Sequence, residues 1–188
     1  YDDKGHLTSE TDPSGAVTSL AYDGRGLLTT RTAPDGAMWS YGYDALGNLS
    51  EVTDPLGRSI RLIHDLAGRP VERRTPALLR TTYTYDAGDR VIAQTDPSTG
   101  SSVFGYDTAG RLVRTTNALG QTITQAYDAA GRVVSRTDSL GHTRTFSYDP
   151  LGRLTTASDP LGGMVTWTYA PLGRLTEESR TGGFMPGS

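Results

Sequence analysis

Tyrosine recurs in this chain at positions 1, 22, 43, 85, 106, 127, 148 and 169, always 21 residues or a multiple of 21 apart. The vacant place at position 64 holds His64, and Asp65 follows it as Asp follows most of the tyrosines. Nine registers therefore run through the 188 residues without an insertion or deletion. A fixed period of this length marks a repeat architecture, in which each unit is stabilised chiefly by its neighbours.

Each unit reads Tyr-Asp-x-x-Gly-Arg-Leu, a few polar or β-branched residues, Thr-Asp-Pro-x-Gly, and a strand-like run into the next Tyr. Both Asp-x-x-Gly devices suit a type I turn, which favours Asp or Asn first, Pro second and Gly fourth. Asp accepts backbone N–H groups within such a turn, and Gly tolerates the left-handed backbone that ends it. One unit carries Asp44-Ala45-Leu46-Gly47 and Asp54-Pro55-Leu56-Gly57. Another carries Asp107-Thr108-Ala109-Gly110 and Asn117-Ala118-Leu119-Gly120. The first device recurs from Asp128 to Gly131 and from Asp149 to Gly152. About six residues separate the turns, the usual length of a strand. The spacing predicts an all-β chain, a continuous antiparallel meander of β-hairpins with two strands per repeat.

Side-chain alternation agrees. Fourteen of the fifteen aromatics lie at the Tyr place, two before it or four before it, as in Trp39-Ser40-Tyr41-Gly42-Tyr43. Period two puts them on one face and small, mostly polar residues on the other. Because 21 is odd, simple alternation would exchange the faces at every repeat, so one residue per repeat has to be absorbed by a bulge. We place it in the Tyr-Asp turn, at the left-handed Gly. That hairpin sets Asp107 across from Arg111 and Tyr106 across from Leu112. Arg holds this site at 69, 90, 111, 132, 153 and 174, which predicts an Asp–Arg pair at most of these turns.

Roughly 17 strands at about 4.8 Å spacing make a strip too wide to stay flat, so it is expected to curl into a trough or spiral wall. Its terminal strands are open to pairing with another chain.

Composition narrows the function. A net charge of −3 gives no footprint for nucleic acid, and no apolar run is long enough to span a bilayer. There is no cysteine, hence no disulfide or thiolate metal site. Thirteen of the sixteen aspartates open turns in register, so turn capping accounts for them without a catalytic carboxylate pair or a calcium array. His6, His64 and His142 occupy three different places in the repeat and form no metal-binding pattern. Neither a P-loop nor a Gly-x-Ser-x-Gly elbow is present. The sequence points to no enzyme, no cofactor and no metal site.

Tyr148-Asp149-Pro150-Leu151-Gly152-Arg153-Leu154, with its Asp-Pro-Leu-Gly partner at 159–162, resembles the Rhs (rearrangement hotspot) repeat, also called the YD repeat. The resemblance runs from residue 1 to about 180. It implies a long β-strip wound into a hollow shell, as in bacterial polymorphic toxins, insecticidal toxin complexes and teneurins. In the bacterial members the shell encloses a C-terminal toxin domain and serves its delivery. The resemblance also implies export from a bacterial cell, to the medium or the cell surface, and partners in flanking repeats and an effector. Asp159-Pro160-Leu161-Gly162-Gly163 is superficially similar to the start of the family's self-cleaving boundary motif. It sits on register and another repeat follows, so we read it as a turn.

The repeat positions of interest are Tyr22, Tyr43, Tyr85, Tyr106, Tyr127, Tyr148 and Tyr169; Asp44, Asp107, Asp128 and Asp149; Gly47, Gly110, Gly131 and Gly152; and Arg111, Arg132 and Arg153. Residues 1–181 are expected to form the strip, as a piece of a longer protein, and 182–188 a flexible or appended tail. Departures gather at 64–100: His64 for Tyr, Thr75-Pro76-Ala77-Leu78 without Asp or Gly, Gly88-Asp89 inverted, and Thr99 ahead of Gly100. The least regular turns are expected there. Two functions suit such a strip: a wall segment around an effector encoded elsewhere, or a surface module that binds carbohydrate or a partner through its aromatic face.

Overall fold

The computed structural model describes residues 1–182. Among them no helix forms, and seventeen strands run in chain order through two compact units, Tyr1–Thr99 and Gly100 onward. The first unit holds β1 (Ser9–Thr11), β2 (Val17–Tyr22), β3 (Leu28–Thr32), β4 (Met38–Tyr43), β5 (Leu49–Thr53), β6 (Ser59–His64), β7 (Pro70–Arg74), β8 (Arg80–Tyr85) and β9 (Val91–Asp96). The second holds β10 (Gly100–Tyr106), β11 (Leu112–Thr116), β12 (Thr122–Tyr127), β13 (Val133–Thr137), β14 (Thr143–Tyr148), β15 (Leu154–Ser158), β16 (Met164–Tyr169) and β17 (Leu175–Thr181). Within each unit every strand pairs antiparallel with the next, which is the expected meander. The expectation for the tail concerns residues that, apart from Gly182, lie outside those described.

Both turns of a repeat are built alike. In the Tyr-Asp turn Gly110 N–H donates to Asp107 C=O at 3.0 Å and Asp107 N–H to Arg111 C=O at 2.9 Å. In the other turn Gly141 and Asp138, with His142, do the same at 3.1 and 3.0 Å. Gly110 has φ 80° and Gly141 φ 85°, the left-handed backbone that a residue with a Cβ adopts only with strain. The irregular stretch fills this place with side-chain-bearing residues, Leu78 at φ 60° and Asp89 at φ 61°, the two non-glycine positive-φ residues among those described.

The bulge lies elsewhere than the sequence suggested. Both turns pair the residue that opens them with the residue four along, Asp107 with Arg111 and Asp138 with His142, so each preserves the alternation and neither absorbs the odd residue. It sits inside the strand leaving the Tyr-Asp turn. Tyr106 pairs with Leu112, but Gly105 pairs with Arg114, leaving Val113 extra. The same shift recurs at Tyr22, Tyr43, His64 and Tyr85 in the first unit and at Tyr127, Tyr148 and Tyr169 in the second. One bulge per repeat keeps every tyrosine on its face.

The sheet has almost no conventional core. Among the described residues only Ala157 and Val165 are buried hydrophobics, and they stand opposite each other on β15 and β16. Leucines at the turn tips project into solvent, Leu66 at 96% exposure and Leu172 at 99%. What holds successive hairpins together must therefore be sought in polar and aromatic contacts along the sheet.

Candidate functional site

The repeating feature of the structure is a clasp at the Tyr-Asp end of each hairpin. It begins with Asp. Asp107 Oδ1 accepts the N–H groups of Ala109 and Arg111, each at 2.9 Å, while its Oδ2 accepts from Arg111 Nε at 2.7 Å. Asp128 with Arg132 and Asp149 with Arg153 repeat the arrangement, the side chains meeting at 2.7 and 2.6 Å. Asp44 caps its turn in the same way and takes Asn48 Nδ2 at 2.9 Å where the others take arginine.

These bonds hold the carboxyls below the ordinary aspartate range. For Asp107 and Asp128 the backbone N–H of the residue four along is the largest cause, and for Asp44 it is the Asn48 side chain. For Asp149 the largest single effect, partial burial, acts upward and is outweighed by the backbone and side chain of Arg153.

The arginine then reaches into the next repeat. Arg111 Nη1 donates to the main-chain carbonyl of Asp128 at 2.9 Å, and its guanidinium lies 4.9 Å from the centre of the Tyr127 ring. Arg132 treats Asp149 and Tyr148 alike, and Arg153 treats Ala170 and Tyr169 alike, both at 4.7 Å from the ring. In the first unit Arg69 covers Tyr85 at 4.8 Å. Such cation–π contacts contribute about 0.5–2 kcal/mol each.

The tyrosine closes the clasp backwards. Tyr127 Oη donates to Leu112 C=O at 2.7 Å, Tyr148 to Val133 at 2.9 Å and Tyr169 to Leu154 at 2.8 Å. Tyr22, Tyr43 and Tyr85 donate likewise to Leu7, Leu28 and Pro70. In the regular rungs the accepting residue stands beside the bulge and beyond the ladder that links its strand to the next one. β11 and β12, for example, pair only through Arg114, Thr115 and Thr116, so Leu112 lies past the end of that ladder. The phenols of Tyr43 and Tyr85 are pushed up by burial.

Variants of the clasp occupy the less regular repeats. His6 stands in the Arg place, bonds Asp2 at 2.8 Å and stacks on Tyr22 at 4.8 Å, helping to bring the Asp2 carboxyl down to about 2. Leu27 takes the Arg place of the following repeat, and Arg25 supplies the bond to the Asp44 carbonyl at 3.1 Å. Tyr106 closes the ladder of its own hairpin opposite Leu112. Gly47, Gly131 and Gly152 end their turns at φ 89°, 81° and 82°. Asp159 also caps a turn, accepting from Leu161 and Gly163 at 2.9 and 2.8 Å. Sequence reading identified the Asp–Arg pair but neither the stacking on the next tyrosine nor the hydroxyl bond.

Among the described residues no group of three His, Cys, Asp or Glu side chains is placed to hold a metal ion. The surface grooves are shallow. One of about 300 Å³ is lined in part by Arg136, His142, Arg144 and Phe146, another of about 440 Å³ by Trp39, Val52 and Ile60.

Comparison with known proteins follows the same period. The family model described as RHS Repeat matches residues 1–38, 43–78, 106–143, 127–164 and 148–184. No curated protein sequence matches the chain. Among solved structures, the crystal structure of TcdB2-TccC3-TEV superposes with a TM-score of 0.73 at 17% identity, covering 96% of this chain and 11% of that one. The Photorhabdus luminescens Tc holotoxin pore gives 0.65 at 20% identity, over 82% of this chain and 10% of that one. TcdB2-TccC3 without its hypervariable C-terminal region gives 0.66 at 20%, over 87% and 10%. The chain thus spans about a tenth of the length of these structures, and the likeness is one of fold.

Proposed function

The chain belongs to the RHS repeat family, and on that premise we propose that it is a wall segment of a shell that encloses and helps deliver an effector carried elsewhere in the parent protein. The observation that carries this reading is the clasp. Its side-chain groups are engaged in holding one hairpin to the next, which is what a wall requires and a catalytic or ligand-binding strip does not. The repeat positions Tyr127, Tyr148 and Tyr169, with Arg111, Arg132 and Arg153, are then structural rather than recognition residues. The related fold in structures named as a Tc holotoxin pore and as TcdB2-TccC3 supports the same reading.

The alternative, carbohydrate recognition by the aromatic face, loses the support of the rings at the Tyr place. Stacking on a sugar needs an open ring, whereas Tyr85, Tyr127, Tyr148 and Tyr169 each have one covered by a guanidinium and their hydroxyls committed to backbone.

Partners are then the flanking repeats, which continue the sheet, and the effector inside. The setting is a bacterial exported or cell-surface protein.

Protease protection tests the proposal on the full-length parent chain. A segment enclosed by the wall resists trypsin until the wall is denatured, and becomes sensitive when whole repeats are deleted from 101–180. Equal cleavage of that segment in the intact parent and when expressed alone would overturn it.

A further inference from the structure

Seven clasps lie wholly within one unit or the other, those of Tyr22, Tyr43, His64 and Tyr85 and those of Tyr127, Tyr148 and Tyr169. Six close with a tyrosine hydroxyl on a carbonyl fifteen residues back. The seventh does not. His64 has no hydroxyl to offer Leu49, and Asn48, in the Arg place, bonds its own Asp44 at 2.9 Å and meets the next hairpin only by lying against Gly68, without a hydrogen bond. Both halves of the clasp are replaced together, one on each side of the same junction.

The histidine makes no hydrogen bond in place of the hydroxyl. Its side chain is only 8% exposed and its Nδ1 is buried without a hydrogen-bond partner; it faces Asp44 Oδ2 at 3.7 Å, close enough for an ion pair when the ring is protonated but beyond hydrogen-bond reach. Neighbouring charged groups are occupied otherwise. Arg25 holds Asp23 and the Asp44 carbonyl, while Arg69 holds Asp65 and Asp89. The ladder does not reach this end of the junction either, since β5 and β6 pair only through Glu51, Val52 and Thr53.

We infer that the Asn48–His64 junction is a built-in opening point, where the Tyr-Asp ends of two successive hairpins separate while the rest of their sheet stays paired. The inference rests on bonds present at six junctions and missing at this one, and is independent of what the wall encloses. It gives the first unit a defined place to flex.

Hydrogen exchange on the 188-residue chain tests it. Amides at 44–50 and 62–69 exchange about tenfold faster than their counterparts at 107–113 and 125–132, the effect of a missing hydrogen bond on local opening. N48R/H64Y, which supplies both halves of the clasp, removes the difference. R111N/Y127H, which copies the open junction into a closed one, transfers the fast exchange to the second region. H64F, which removes the buried nitrogen but adds no hydroxyl, keeps the first region fast. Equal protection of the two regions in the natural chain would overturn the inference. So would a lack of slowing in N48R/H64Y, or as much slowing in H64F as in the double variant.

Discussion

The hydroxyl of Tyr127 donates to the carbonyl of Leu112, fifteen residues earlier, at 2.7 Å. That bond links two features of the repeat that otherwise look unrelated. An odd period requires a bulge, and the bulge leaves Leu112 beyond the reach of the β11–β12 ladder. A buried or half-buried carbonyl without a partner is costly, and the tyrosine of the next repeat meets that need, joined at Leu112 by Gln125 Nε2 at 3.3 Å. Tyrosine, rather than any large apolar residue, is what this place calls for.

The first prediction is that Tyr148→Phe, which keeps the ring beneath Arg132 and removes only the hydroxyl bonded to Val133 C=O, lowers stability by about 0.5–1.5 kcal/mol. Urea unfolding measures this. An unchanged midpoint would mean that the hydroxyl bond contributes nothing.

A second concerns acid. Twelve turn-opening aspartates, at 2, 12, 23, 44, 54, 65, 86, 96, 107, 128, 138 and 149, are held below their usual 3.8 in the fold. The folded chain favours their charged form, so below that pH the unfolded chain binds more protons. Their contribution is complete above about pH 4 and is lost as pH falls through the folded values, towards about 2 for Asp2. Thermal midpoints recorded from pH 7 to pH 2 should hold steady from this source and then fall below about pH 4. A midpoint that rises in acid would reverse the sign of this effect.

The third concerns the turns. Gly131 has φ 81° and open space where a Cβ would go, so Gly131→Ala adds backbone strain without a clash. It should cost about 1–2 kcal/mol. Leu78→Gly does the reverse at φ 60° and should stabilise by up to about 1 kcal/mol, even though glycine gains freedom in the unfolded chain. Differential scanning calorimetry compares the two. Equal shifts in one direction would show that φ is not what selects glycine here.

Much of this was legible in the residues, because turn chemistry is local. Asp-x-x-Gly names its own bonds, and the regularity of Asp54-Pro55-Leu56-Gly57 predicts a reversal without reference to anything distant. The bulge was harder. Its residue, Val113, looks like any other strand residue, and only the pairing of Gly105 with Arg114 shows that it is extra. The stacking of Arg111 on Tyr127 joins residues of successive repeats, and the spacing that links them is as constant as every other spacing in the chain. Nor does the sequence mark the two places as partners: Arg and Tyr are both absent at 48 and 64, but His6 and Leu27 stand in the Arg place while Tyr22 and Tyr43 are kept. The middle turns break the pattern in sequence, and Leu78 and Asp89 show how they do so in the backbone.

Arginine and tyrosine of successive repeats act as one unit, and a double-mutant cycle on Arg132 and Tyr148 measures this by chemical unfolding, with Arg132→Gln, Tyr148→Leu and the pair. A coupling of about 0.5–2 kcal/mol is expected, the double variant losing less than the two single losses added together. Strict additivity would contradict it, and would leave the arginine and the tyrosine each acting alone through its own bond to a carbonyl.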